Sequence, residues 1–192
     1  MPTEDIGEDQ SPIEIRIFDP AAHDRSAFDC GVSRLNNFIL RTAKKQQKGD
    51  LVRVYVAVHP GENRVLGYHA INVYSLCADT LGALKPHATP PHNMLPAVYL
   101  SMIAIDKRCQ GVGLGGILLD HAKQKALKVA EVAGAYAMVL DVINDDGAAE
   151  GRVAWYARHG FQSFPGAPLK MFLPIATIRQ TYAGLDPAAD PA

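Results

Sequence analysis

Cysteine is scarce in this 192-residue sequence, with three residues, Cys30, Cys77 and Cys109. An odd number without close pairs argues against a disulfide framework and suits a reducing compartment. Net charge is nearly absent too: 19 Lys and Arg stand against 20 Asp and Glu, a balance of −1. No strong overall field therefore advertises a polyanionic partner. No apolar run approaches the roughly 20 residues of a membrane-spanning helix, and the opening "MPTEDIGEDQSP" is acidic, without the basic flank and apolar centre of a secretory signal. Internal repeats and long linkers are also lacking. The expectation is one cytoplasmic domain over residues 1–192, with flexible tails at 1–12 and 185–192, and no membrane association.

What is present is a 48% hydrophobic composition, enough for a sizeable core, arranged in two periodicities. "IEIRIF" alternates and predicts a first strand. Ser33 is a plausible N-cap for a helix reaching about Gln47, with Leu35, Phe38, Ile39 and Ala43 on one stripe. "LVRVYVAVH" and "RVLGYHAINVYSL", separated by the turn "PGEN", predict an antiparallel hairpin. A proline-rich connection over residues 84–96 leads to a buried strand, "AVYLSMIAID". A glycine loop and a helix to about Val132 follow, then the buried strand "YAMVLDV". "AAEGRVAWYARHG" predicts a helix stopped by Gly160, "LKMFLPI" a last strand and "ATIRQTYA" a final helix. Antiparallel strands followed by a β-loop-α-β unit predict an α/β fold. Its mixed, mostly antiparallel sheet should carry helices on both faces.

The chemistry lies in "IDKRCQGVGLGGILLD". Four glycines, Gly111, Gly113, Gly115 and Gly116, fall where a strand hands over to a helix. Bare backbone at a helix N-terminus suits a phosphate, because free amides and the helix dipole both favour an anion. Gly111, Gly113 and Gly116 fit G-x-G-x-x-G, and Asp141 ends the next strand, but residues 106–110 separate the strand from the first glycine. Too few βαβ repeats surround the loop for a dinucleotide fold. The phosphate loop G-x-x-x-x-G-K-[ST] is absent, since no lysine follows at the required place.

"RCQGVG", with "IAID" before it and "LG" after it, resembles the acetyl-CoA motif of the GNAT superfamily of N-acetyltransferases. "AWYARHGF" resembles the final helix of that superfamily. "FDCGVSRLNNFILRTAKKQQ", followed by "YVAV", "VLGYHAINV" and "LPAVYLSMIAID", looks like a narrower group, the GNAT toxins of toxin–antitoxin pairs that acetylate aminoacyl-tRNA. The likeness covers about residues 28–174. It implies the GNAT fold and acetyl-CoA as cosubstrate, with no metal. The cofactor would be held by Ile103, Ala104 and Ile105 of the strand and by Arg108, Cys109, Gln110, Gly111, Val112, Gly113, Leu114, Gly115 and Gly116. Amides of residues 110–115 would face the pyrophosphate, and Arg108 would shield charge or brace the loop. A strand N–H within residues 102–105 would serve the oxyanion. The resemblance also puts Tyr156 in the role of the acid that protonates the leaving thiolate.

Arg34, Arg41, Lys45 and Lys48, spaced seven, four and three apart, share one face of the first helix, with Lys44 and Arg53 nearby. Such a stripe is ordinarily a solvated helix side. Beside the toxin-like segment it becomes a candidate surface for aminoacyl-tRNA. The resemblance further implies a ribbon-helix-helix antitoxin as partner, and a homodimer is a candidate assembly. His87 and His92 lack a third ligand at metal spacing. Asp145 and Asp146 read as a turn and helix cap, or as a holder for an amine, and Cys109 as a thiol made somewhat reactive by Arg108. Cys30 reads as buried beside Phe28. Two rival readings stand beside the preferred one. One is acetylation of a small-molecule or protein amine, against which the basic helix speaks. The other is a catalytically weak acetyl-CoA-binding regulator, against which Tyr156 speaks.

Overall fold

The computed structural model describes residues 12–145 and 147–183. The tails expected at the two ends fall outside these residues, apart from Pro12, as does Asp146. Among the described residues, seven strands form one sheet in the order β1-β2-β3-β4-β5-β7-β6. They are β1 (Glu14–Ile17), β2 (Arg53–Val58), β3 (Gly67–Cys77), β4 (Met94–Ile105), β5 (Ala137–Asp141), β6 (Gln162–Phe164) and β7 (Ala167–Pro174). Every neighbouring pair is antiparallel except β4 and β5. The mixed, mostly antiparallel sheet expected from the strand order is therefore present.

One sheet face carries the first helical stretch: α1 (Ser33–Asn37), a wide π-type turn (Phe38–Thr42) and α2 (Ala43–Lys48). Leu35, Phe38, Ile39 and Ala43 are buried there against Val54, Val56, Tyr68 and Ala70. The cross-strand pairs Val54↔Ala70 and Val56↔Tyr68 present those four side chains on a single face. Ser33 does not cap this helix. It is the first helical residue, preceded by Val32, and no side-chain cap bond forms. The opposite face carries α3 (Leu114–Ala133), α4 (Ala149–Arg158) and α5 (Ile175–Ala183). Leu119, Ala122, Ala126, Tyr156, Ile175 and Ile178 from these helices share one core with Leu100, Met138, Leu140 and Met171 of the sheet. Gly67 lets α3 close on the sheet, since a Cβ there would sit 2.9 Å from Leu118 Cδ1 and 3.0 Å from the Ala104 carbonyl.

Short elements not expected from the pattern include the 3-10 turns over Ala78–Leu84 and the strand β6. Both are too short to establish a period. The strand β4 also begins three residues earlier than its apolar run, at Met94 rather than Ala97, through Pro96.

Candidate active site

The parallel partners β4 and β5 separate partway along. Their ladder holds only Ala97↔Ala137, Val98↔Met138 and Tyr99↔Val139. Beyond it β4 stays with β3 as far as Gly67↔Ile105, while β5 stays with β7, and the Val142 amide still donates to the Leu169 carbonyl at 2.7 Å. A β-bulge lies where the strands part. Ala70 faces Met102 and Ile71 faces Leu100, so Ser101 is the extra residue, its hydroxyl donating to the Ala70 carbonyl at 3.1 Å. A bulge bends its strand and increases the local twist, which steers β4 away from β5. The wedge holds a cavity of about 900 Å³, within the ordinary range for ligand clefts.

Ile103, Ala104 and Ile105 line this cavity, together with Cys109, Gln110, Gly111, Gly113, Gly115 and Gly116. The edge of β4 that β5 leaves bare borders it too. Gly111 and Gly113 have φ of 84° and 87°, a region costly for residues with a Cβ. Gly113 starts α3 without a side-chain cap, and amides 111–115 donate to no acceptor among the described residues. A Cβ at Gly111 or Gly113 would meet no atom within 4 Å, so the concavity is open where a ligand would approach. Five unsatisfied donors at the start of a 20-residue helix fit a pyrophosphate, and the bare strand edge fits an amide-bearing arm paired like an added strand. The residues present thus fit acetyl-CoA.

Three of the expected cofactor residues have side chains elsewhere. Val112 is 77% exposed, and Leu114 is buried beneath α3 with Ala57, Leu66 and Leu118. Only their amides belong to the concavity. Arg108 turns away from the cavity and braces the loop. Its Nε and a terminal nitrogen donate to the two Asp106 carboxylate oxygens at 2.8 and 2.9 Å, and that same nitrogen donates to the Ala27 carbonyl at 3.1 Å. Asp106 is 1% exposed, and the Arg108 guanidinium, foremost, holds its carboxyl down to about 2.

The "FDCG…LN" segment is the other half of this brace. The Lys107 amide donates to the Asp29 carbonyl at 2.8 Å, and the Lys107 ammonium pairs with the Asp29 carboxylate at 2.9 Å. Asn36 donates to Asp29 at 2.7 Å and accepts from the Cys30 amide at 2.9 Å. The Gln110 side chain donates to the carbonyls of Ile105 and Cys30 at 2.9 and 3.2 Å. This segment is legible in the sequence only through its likeness, whereas its physical work is to clamp the glycine loop from 70 or more residues away. Cys30, expected to be buried, is partly exposed on the cavity wall, and desolvation raises its thiol.

Tyr156 lies on α4, lines the cavity and is 8% exposed. Its ring packs edge-on against Trp155 and Phe161 at 5.0 and 5.7 Å, and its hydroxyl makes no hydrogen bond to a described residue. Burial pushes its phenol well above the ordinary value, so it is a proton donor throughout the neutral range. Of the basic residues, Arg34 lines the cavity, whereas Arg41, Lys45 and Lys48 are exposed outside it. The wide turn over Phe38–Thr42 interrupts the even stripe expected of them, because an extra residue per turn changes the helical phase. Lys44 is exposed as well. His87 and His92 belong to no cluster able to hold a metal among the described residues. Asp145 lines the cavity. Tyr99, Asp141, Arg152 and Trp155 also line it and were not singled out for this site from the sequence.

A sheet split between its two parallel strands, with an anion-receptive helix start at one end and a buried phenol in its wall, is the cleft of an acyl-CoA-dependent acyltransferase. The family model described as "Acetyltransferase (GNAT) family" matches residues 42–161, and this chain belongs to that family. It is 42% identical over 167 residues to "Probable toxin TacT" of Sinorhizobium fredii (strain NBRC 101917 / NGR234), a match covering 86% of this chain and 92% of that protein. It is 28% identical over 153 residues to "tRNA-acetylating toxin" of Mycobacterium tuberculosis (strain ATCC 25618 / H37Rv), covering 79% and 86%. Among solved structures, that of AtaTR bound with acetyl-CoA superposes with a TM-score of 0.72 at 25% identity, covering 88% of this chain and 98% of that one.

Proposed function

We propose that this acetyltransferase transfers an acetyl group from acetyl-CoA to the α-amine of an aminoacyl-tRNA. The observation that carries the reading is a cleft bordered on two sides. The Tyr156 helix forms one wall, and on the α1 side Arg34 leads out to the cations of α2, which form no ion pair among the described residues. Likeness to a tRNA-acetylating toxin supports the same substrate.

Acetyl-CoA supplies an acetyl group already activated as a thioester. Amides 111–115 hold its pyrophosphate, and the bare edge of β4 orders its arm, with an N–H in residues 102–105 donating to the developing oxyanion. Tyr156 gives its proton to the departing sulfur. A free α-amine has a pKa of about 7.7–8, so much of it is neutral near pH 7 and no strong base is needed. Arg41, Lys45 and Lys48 hold the acceptor-stem phosphates, while Arg34 guides the 3′ end inward. Aminoacyl-tRNA is a cytoplasmic substrate, and a chain that blocks it needs restraint. A small antitoxin, of the ribbon-helix-helix kind, is the expected partner, in keeping with the likeness to toxins.

The test uses acetyl-CoA with labelled acetyl, charged tRNA, the same tRNA deacylated, and a small free amine. Label in N-acetyl-aminoacyl-tRNA, absent from deacylated tRNA, is expected. Label confined to the small amine would overturn the tRNA assignment.

A further inference from the structure

On the α1 side of the sheet, the two parting strands hold a pair of side chains that cofactor binding leaves unused. Tyr99 is the last residue of β4 paired with β5, opposite Val139. Asp141 comes two residues later, so its side chain leaves the same face. The Tyr99 hydroxyl donates to Asp141 Oδ2 at 2.7 Å, and both residues line the cavity. Burial first, and then this carboxylate, raises the Tyr99 phenol above its ordinary value and keeps it a donor.

The neighbouring cations leave Asp141 alone. Lys170 lies directly opposite it in the β5–β7 register. Its ammonium turns instead to the Tyr74 hydroxyl at 2.8 Å and over the Tyr74 ring at 4.9 Å. Tyr74 stacks on Tyr99 at 5.3 Å, so the whole row is packed. Asp141 forms no ion pair with Lys170, Arg34 or any other described residue. An anion anchored on one oxygen and lacking a cationic partner thus stands on the acceptor side of the cleft.

We infer that Asp141, oriented by Tyr99, receives the attacking amine of the acceptor and stabilises the positive charge that nitrogen gains during the transfer. The amine attacks as a neutral group, with one N–H directed at the carboxylate. Its lone pair forms the C–N bond to the thioester carbonyl carbon. The C–S bond then breaks with its electron pair going to sulfur, which takes the Tyr156 proton. Nitrogen is cationic once the C–N bond forms, so the carboxylate attracts the transition state more than the ground state. The surplus proton on nitrogen passes to water, and water returns a proton to Tyr156, so the amide and the free thiol leave with the enzyme restored.

This inference rests on the acetyltransferase reading, and its test separates the two. Asp141→Asn keeps the shape and the acceptor for Tyr99 but removes the charge, and Asp141→Glu keeps the charge. Each is assayed for kcat and KM on aminoacyl-tRNA and on a small primary amine, with acetyl-CoA affinity by calorimetry and Tm. We expect Asp141→Asn to lower kcat by about 10²-fold, the scale for losing one transition-state contact. Acetyl-CoA Kd and Tm should stay near wild type, and Asp141→Glu should recover at least about tenfold of that loss. Wild-type kcat in the Asn variant, a Glu variant no better than Asn, or a parallel loss of acetyl-CoA binding would each overturn the role. Should wild type acetylate only the small amine, the tRNA reading fails. Asp141 is then judged by the same comparison on that amine.

Discussion

Tyr156 combines two properties that act together. It lines the cleft, while its ring is enclosed by Trp155 and Phe161. Enclosure disfavours the phenolate, so the raised phenol remains protonated at and above its ordinary titration range. Tyr156→Phe should preserve the packing and lower kcat by about 10²–10⁴-fold with little change in acetyl-CoA affinity. The sign of the pH effect follows from the same burial. Wild-type kcat/KM should rise as the α-amine loses its proton around pH 7.7–8 and show no basic limb up to about pH 10. A decline between pH 8 and 10, or an active Phe variant, would move the proton to another donor. Tyr156 was legible because it stands in a short local motif, "AWYARHGF". Tyr99 and Asp141 were not, since their bond joins residues 42 apart, and nothing in either strand alone announces the partner.

At the scale of elements, the glycine loop is held by its surroundings rather than by itself. Asp106 collects the Arg108 amide, the Arg108 guanidinium and the Asp29 amide, and the 27–30 segment closes over the loop from outside. The loop can then keep five amides unsatisfied without collapsing onto them. Gly113→Ala tests that arrangement at its most sensitive position. The left-handed backbone at φ 87° costs an alanine about 1–2 kcal/mol, and the new methyl projects into open space where the pyrophosphate would lie. The stabilisation by saturating acetyl-CoA, read as a Tm shift, should shrink strongly, while the Tm of the free protein falls by only a few degrees. An unchanged ligand shift would detach the loop from phosphate binding. The loop and its helix were readable from glycine spacing, and the buried stripe of the first helix from its period. The wide turn over Phe38–Thr42 was hidden, because Leu35, Phe38, Ile39 and Ala43 satisfy an ordinary α-helical stripe equally well. The short β6 carries no period at all.

Over the whole molecule, near-neutrality conceals separation of charge. The net charge is −1, yet Arg34, Arg41, Lys44, Lys45 and Lys48 stand exposed within one helical stretch and form no ion pair among the described residues. The acidic side chains nearest the glycine loop, Asp29 and Asp106, are by contrast neutralised by Lys107 and Arg108. A polyanion would therefore meet its attraction on the α1–α2 side, the side on which the cleft opens toward Asp141. Arg41→Glu, Lys45→Glu and Lys48→Glu together should weaken acetylation of aminoacyl-tRNA at physiological salt. Each phosphate contact contributes about 0.7–0.9 to the logarithmic salt slope, so losing three should flatten it by roughly two or more. Acetylation of a small primary amine should persist in the same variant, because that acceptor needs only the cleft and Tyr156. The measurement is kcat/KM for both acceptors across a salt series, in wild type and triple variant. Equal tRNA activity with an unchanged slope would reduce this face to solvated helix surface and direct the search for the tRNA path elsewhere on the chain.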